Sequence, residues 1–206
     1  PELFTIKDMK LITEVETPHG PMIQHIEVVH ENGQPILLEA CHPLAFIWHC
    51  FQTCDDWYAL LQKRLQLEPP TEDDPWSLIL YTDEVTPGNA LAVQTSRKVY
   101  AIYYSFKEMG AAALACEDVW FCLATILQDG GVAQIVAKLL CWFFPAEGDN
   151  LMTTGMHLQR EGCPSVRLFA KLAIVVQDGA AHKELWSCRD GTRLCMSCFT
   201  VTDDSE

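Results

Sequence analysis

Between Trp76 and Gln177 the chain passes through three β-rich stretches, one long apolar stretch of helical period and a last β-rich stretch, and this order most constrains its fold. Trp76 to Thr82 is a compact apolar run that ends in Asp83-Glu84 and Pro87-Gly88-Asn89, the pattern of a strand feeding a loop. Lys98 to Phe106 is rich in Val, Tyr and Ile, and Asp118 to Leu127 alternates Val119, Phe121, Leu123 and Thr125 with Trp120, Cys122 and Ala124. Gly130-Gly131 opens a helical stretch from Val132 to Phe144, which Pro145 closes. The Gly-containing stretch from Glu147 to Pro164 predicts an irregular insert, and Val166 to Gln177 predicts a strand that ends at Asp178. Three antiparallel strands, a crossover helix and a fourth strand parallel to the first make a mixed α/β sheet. That arrangement would bring Asp83 and Asp178 close together, and paired carboxylates there would make a metal site.

The first seventy residues are expected to form a separate region. Met22 to Val29 alternates, Glu31-Asn32-Gly33 reads as a turn, and Pro35 to Leu38 returns, which together predict a hairpin. From Leu44 to Leu67, Phe46, Ile47, Cys50, Phe51, Trp57, Leu60, Leu61 and Leu65 recur at helical spacing until Pro69-Pro70 stops the helix. The Pro-rich acidic run from Glu68 to Pro75 then reads as a linker, dividing the chain into a hairpin-and-helix region, 1–70, and a core region, 76–206.

Composition narrows the function classes. With 49% apolar residues the chain is neither disordered nor collagen-like. The 28 acidic residues against 14 Lys plus Arg give a net charge of −14, which argues against a protein that coats nucleic acid through clustered cations. An acidic metal-dependent core remains compatible with it. The ten cysteines sit mostly in apolar runs and are expected to be buried, reduced thiols. The charged start from Pro1 to Lys10 lacks a signal-like apolar region, so an intracellular, non-secreted protein is expected. Lys138 and Lys171 interrupt the two most apolar stretches, and no membrane span is expected. The first residue is not Met, which predicts a fragment or a processed product.

Each acid also has an ordinary reading. Asp83 could be a strand-ending turn residue, and Asp178 could cap a helix from Ala180 to Trp186. Cys195-Met196-Ser197-Cys198 has the two-residue spacer that lets both thiolates reach one zinc ion, with His182 and Cys188 as weaker candidates for the remaining ligands. Two unmetallated thiols are the alternative. Cys41-His42 and the trio His49, Cys50 and Cys54 have ligand-type side chains, but on so apolar a helix they are expected to pack. Arg97-Lys98 after Ser96 is a weak phosphate candidate. The chain contains no Gly-rich phosphate loop, Gly-x-Ser-x-Gly elbow or His-Glu-x-x-His helix.

Over roughly Trp76 to Cys198 these segments resemble the catalytic core of DDE-type cut-and-paste transposases, nearest the CACTA and Plavaka-like branch. The likeness rests on Leu80-Tyr81-Thr82-Asp83 with its Pro-Gly-Asn loop and Ser96, on Val99 to Ser105, on Leu168 to Asp178, and on Gly191 followed by the Cys195-x-x-Cys198 knuckle. The resemblance implies an RNase H-like core with an N-terminal hairpin-plus-helix arm and a C-terminal zinc knuckle. It also implies Asp83, bridging two Mg²⁺ ions, and Asp178, holding one of them, as catalytic acids for phosphodiester hydrolysis and strand transfer on transposon-end DNA, in the nucleus. The family's third acid normally lies well beyond the knuckle. Asp203, Asp204 and Glu206 come too soon after Cys198 for that role, so the chain is expected to be an incomplete core, inactive alone. The competing expectations are a domesticated or decayed, non-enzymatic interaction protein using the knuckle and the Leu44 to Leu67 helix for partner contacts, and a generic RNase H-like nuclease.

Overall fold

The computed structural model describes residues 14–29, 33–85, 99–127 and 132–177, together with the backbone of two short strands at 192–194 and 201–203. Two short strands, β1 (Glu16–Thr17) and β2 (Gly20–Pro21), precede a hairpin of β3 (Ile23–Val29) and β4 (Pro35–Cys41). The hairpin register runs from Ile23↔Cys41 to Val29↔Pro35, as the alternation predicts. Two helices follow, α1 (Pro43–Thr53) and α2 (Asp55–Leu67). The single helix expected over Leu44 to Leu67 is therefore broken at Cys54, whose extended backbone closes α1 and opens α2. Apolar spacing ran through the break because each helix buries its own stripe, Leu44, Ile47 and Phe51 in α1 and Trp57, Leu61 and Leu65 in α2.

The central sheet comprises β5 (Trp76–Val85), β6 (Val99–Phe106), β7 (Phe121–Leu127) and β10 (Ala170–Val176), in the order β10-β5-β6-β7. Strands β5, β6 and β7 are antiparallel neighbours, and β10 lies parallel to β5. The fold is thus mixed α/β with a sheet of parallel and antiparallel strands. Between β6 and β7 lie a 3-10 turn, Lys107–Met109, a short helix α3 (Ala111–Leu114) and a second 3-10 turn, Glu117–Val119. This turn corrects the strand expected from Asp118: the alternation at Val119 and Phe121 belongs to a turn followed by a shorter strand. Helix α4 (Val132–Phe143) buries Val132, Ile135, Val136, Leu139 and Phe143, the spacing of one helical face.

The continuous strand expected from Val166 to Gln177 is also divided. β9 (Val166–Leu168) pairs with β8 (Met156–Leu158), whereas β10 joins the central sheet after Phe169. The insert expected to be irregular therefore contains a strand, β8. It is tied to the sheet where Ala170 N–H donates to the Leu151 carbonyl at 2.8 Å, and to the helices where the Arg160 guanidinium meets Asp55 and lies 4.7 Å from the Tyr58 ring centre. The last two strands, β11 (Thr192–Leu194) and β12 (Val201–Asp203), pair antiparallel with each other.

One core spans these elements. Tyr104, fully buried on β6, contacts Phe106, Phe121 and Phe143 at 6.1, 5.3 and 5.0 Å between ring centres, joining sheet to α4. Ile26 and Val28 of the hairpin and Leu44, Ile47 and Phe51 of α1 belong to the same cluster. The expected burial of the cysteines is not found: among the described residues Cys54, Cys116, Cys122 and Cys141 are exposed, and Cys41, Cys50 and Cys163 are half-buried. The apolar runs that contain them place the cysteines beside, rather than on, the buried stripes. No helix among the described residues is long and apolar enough to cross a membrane.

Candidate functional site

Strand period sorts β5 onto two faces. Leu78, Leu80 and Thr82 point into the core at 0, 1 and 1% exposure, so Ile79, Tyr81 and Asp83 share the opposite face. The antiparallel register sets Tyr81 across from Tyr103 and Asp83 across from Ala101, and the parallel register sets Ile79 beside Ile174 and Tyr81 beside Val176. All of these side chains except the buried Ala101 line an open cleft of about 1030 Å³. Lys107, Leu114, Glu117 and Trp120, all from the β6–β7 connection, close one end of it.

That connection is held by three local devices. The Glu108 carboxylate accepts from the Ser77 backbone N–H at 2.9 Å, and the Trp120 indole donates to the Leu114 carbonyl at 3.0 Å. Gly110 turns the chain at φ +86°, with the Arg64 guanidinium packed where a Cβ would stand. Any other residue there would meet both backbone strain and that side chain.

Asp83 lies inside β5, which continues to Val85, and not after its end as the turn reading requires. Pairing with β6 carries the strand past Asp83, through Glu84↔Tyr100 and Val85↔Val99. The carboxylate is half-buried, and its Oδ2 accepts from the Tyr81 hydroxyl at 2.8 Å. Burial first, then the charges of Cys122, Asp83 and Glu117, raise the Tyr103 phenol above its usual range. Glu117, Tyr81, Tyr103 and Trp120 were not singled out from sequence. Tyr81 and Tyr103 sit in aromatic-rich strands, where the only available signal was their side of the strand alternation.

At the β10 end of the sheet the Gln177 side-chain amide donates to Thr82 Oγ1 at 2.6 Å. Asp178, His182, Cys188, Cys195 and Cys198 lie outside the described residues, as do Ser96, Arg97 and Lys98. Among the described residues no group of three or more His, Cys, Asp or Glu side chains could hold a metal ion. The Cys41-His42 region packs: the His42 ring caps α1, Nδ1 accepting from Ala45 N–H at 3.3 Å, and burial lowers its pKa to about 4. Burial likewise pushes the Cys41 and Cys50 thiols up to about 12, away from the thiolate that metal binding or nucleophilic attack requires.

Comparison with protein-family models, with curated proteins and with solved structures returns no match for this chain.

Proposed function

We propose that the mixed sheet is an RNase H-like core of a DDE-type transposase-derived domain, in which Asp83 and Asp178 together hold Mg²⁺ for phosphodiester chemistry on DNA. The reading is carried by the parallel β10–β5 ladder. Val176 pairs with Tyr81, the Gln177–Thr82 hydrogen bond spans 95 positions, and Asp178 stands at the same separation from Asp83. This common offset supports two carboxylates side by side at one end of adjacent parallel strands.

The donor set suits a hard cation, which prefers carboxylate oxygens. The Tyr81 hydroxyl takes one acceptor position on Asp83 and orients the carboxylate, and an ionised carboxylate has about four such positions, so most remain for a cation. Mg²⁺ held there would activate water or a 3′-hydroxyl and stabilise the leaving oxygen. It would also offset the repulsion between phosphate and a chain of net charge −14. The resembled family uses a third acid in addition to this pair. A pair of carboxylates alone is expected to bind metal weakly and to leave DNA uncut. Cys195 and Cys198, with His182 and Cys188, are proposed as zinc ligands of the knuckle.

The test is the full-length protein, given Mg²⁺ or Mn²⁺ and its terminal-repeat DNA. Strand nicking that Asp83→Ala and Asp178→Ala each abolish is expected. Intact DNA with both variants indistinguishable from the unaltered protein overturns the reading in favour of a non-enzymatic interaction protein.

A further inference from the structure

The cleft beside Asp83 contains groups that metal chemistry does not use. Tyr81 and Tyr103 stand together on the open face, ring centres 6.0 Å apart and planes 25° from parallel. Trp120 meets Tyr81 at 5.9 Å and 65°, so the indole stands as a wall against a tyrosine floor. Its bond to the Leu114 carbonyl holds that wall in place. Asp83 and Glu117 line the same cleft, and both charges reach the Tyr103 phenol.

The chemistry of this corner selects for positive charge. Aromatic faces attract cations, and carboxylates at the rim add countercharge. A strongly hydrated cation gains little from an apolar groove, whereas a methylated ammonium gives up little water on entering one. The two carboxylates and the net charge of −14 oppose an anionic ligand. Lys107 lines the same end of the cleft as Glu117 and Trp120, but it follows the end of β6, four residues and about 13 Å along the chain from Tyr103. The volume of about 1030 Å³ is in the range of small-molecule sites.

We propose that this cleft binds a small molecule carrying a methylated ammonium group, seated against Tyr81, Tyr103 and Trp120 with Asp83 and Glu117 as countercharge. The site goes beyond the Mg²⁺ reading and requires no metal.

Calorimetric titration of the purified chain in EDTA tests it, with choline as probe, 3,3-dimethylbutan-1-ol as the neutral isostere and a short peptide bearing one trimethyllysine as the macromolecular arm. Choline is expected to bind about tenfold more tightly than the alcohol, and Trp120→Ala to remove about that factor, with Trp120→Phe recovering most of it. Glu117→Gln, at an exposed position, should weaken choline a few-fold with the fold intact, which keeps the test valid if Trp120→Ala disturbs the β6–β7 connection. Equal binding of choline and the alcohol, or no choline binding at millimolar concentration to folded protein, overturns the proposal. Tighter binding of the peptide than of choline overturns the small-molecule source. Because EDTA removes divalent ions, loss of choline binding with Mn²⁺ binding retained refutes this site alone, and the reverse result refutes only the metal reading.

Discussion

The two faces of the central sheet use the same strands for opposite purposes. On one, Leu78, Leu80 and Thr82 of β5 pair with Phe106, Tyr104 and Ile102 of β6, all at most 1% exposed beneath helices and hairpin. On the other, one residue along each strand, Ile79, Tyr81 and Asp83 stand over an open cleft with Tyr103, Ile174 and Val176. The covered face gains stability from burial and packing. The open face keeps aromatic and acidic groups half in water, where they contribute little to stability and are available to a ligand. A strand with one buried face supports both because its side chains alternate.

The contrast is tested most severely by neighbouring truncations. Leu80→Ala should cost about 3 kcal/mol, whereas Tyr81→Ala should cost less than about 1 kcal/mol, both read from denaturant unfolding. Comparable losses would erase the distinction between the faces. A pH effect of similar size is expected beneath the covered side. His42 in the folded chain has a pKa of about 4 against the ordinary 6.5, so the unfolded chain takes up a proton first as pH falls. Its contribution is complete above about pH 6.5 and is lost progressively down to about pH 4, on the order of 3 kcal/mol in all. His42→Asn, which keeps a capping side chain, should flatten that slope in unfolding measured between pH 7 and 4.

At the closed end of the cleft, Gly110→Ala should cost about 2 kcal/mol through its positive φ and its approach to Arg64. Arg64→Ala in the same chain should recover the contact portion and leave the backbone portion. Thr82→Val, which leaves the Gln177 amide without its acceptor, should cost about 1 kcal/mol and increase amide exchange at the end of β10. The smallest effect is expected at Tyr104, whose buried hydroxyl has no hydrogen-bond partner: Tyr104→Phe should be neutral or slightly stabilising by thermal melting.

Sequence periodicity revealed the hairpin, the strands of the central sheet and α4, because each buries a regular stripe. The expectation of a final strand parallel to the first also holds, in the Ala170↔Trp76 to Val176↔Tyr81 ladder. The breaks were not legible. Cys54 interrupts two helices of similar apolar spacing, and Phe169 separates strands that belong to different sheets, so local pattern continues where tertiary pairing changes. Of the candidate site, Asp83 was visible as an acid beside an apolar run. Glu117 and Trp120 were not, because a turn between β6 and β7 brings them to the cleft, and that turn follows from tertiary packing rather than from a strand or helix period.

The proposed divalent-metal site of Asp83 and Asp178 is read out by Mn²⁺ titration of the isolated chain, followed by the electron paramagnetic resonance signal of free Mn²⁺. Weak binding is expected, which Asp83→Asn and Asp178→Asn each remove, with no further loss in the double variant. Undiminished Mn²⁺ binding in the folded double variant would contradict it.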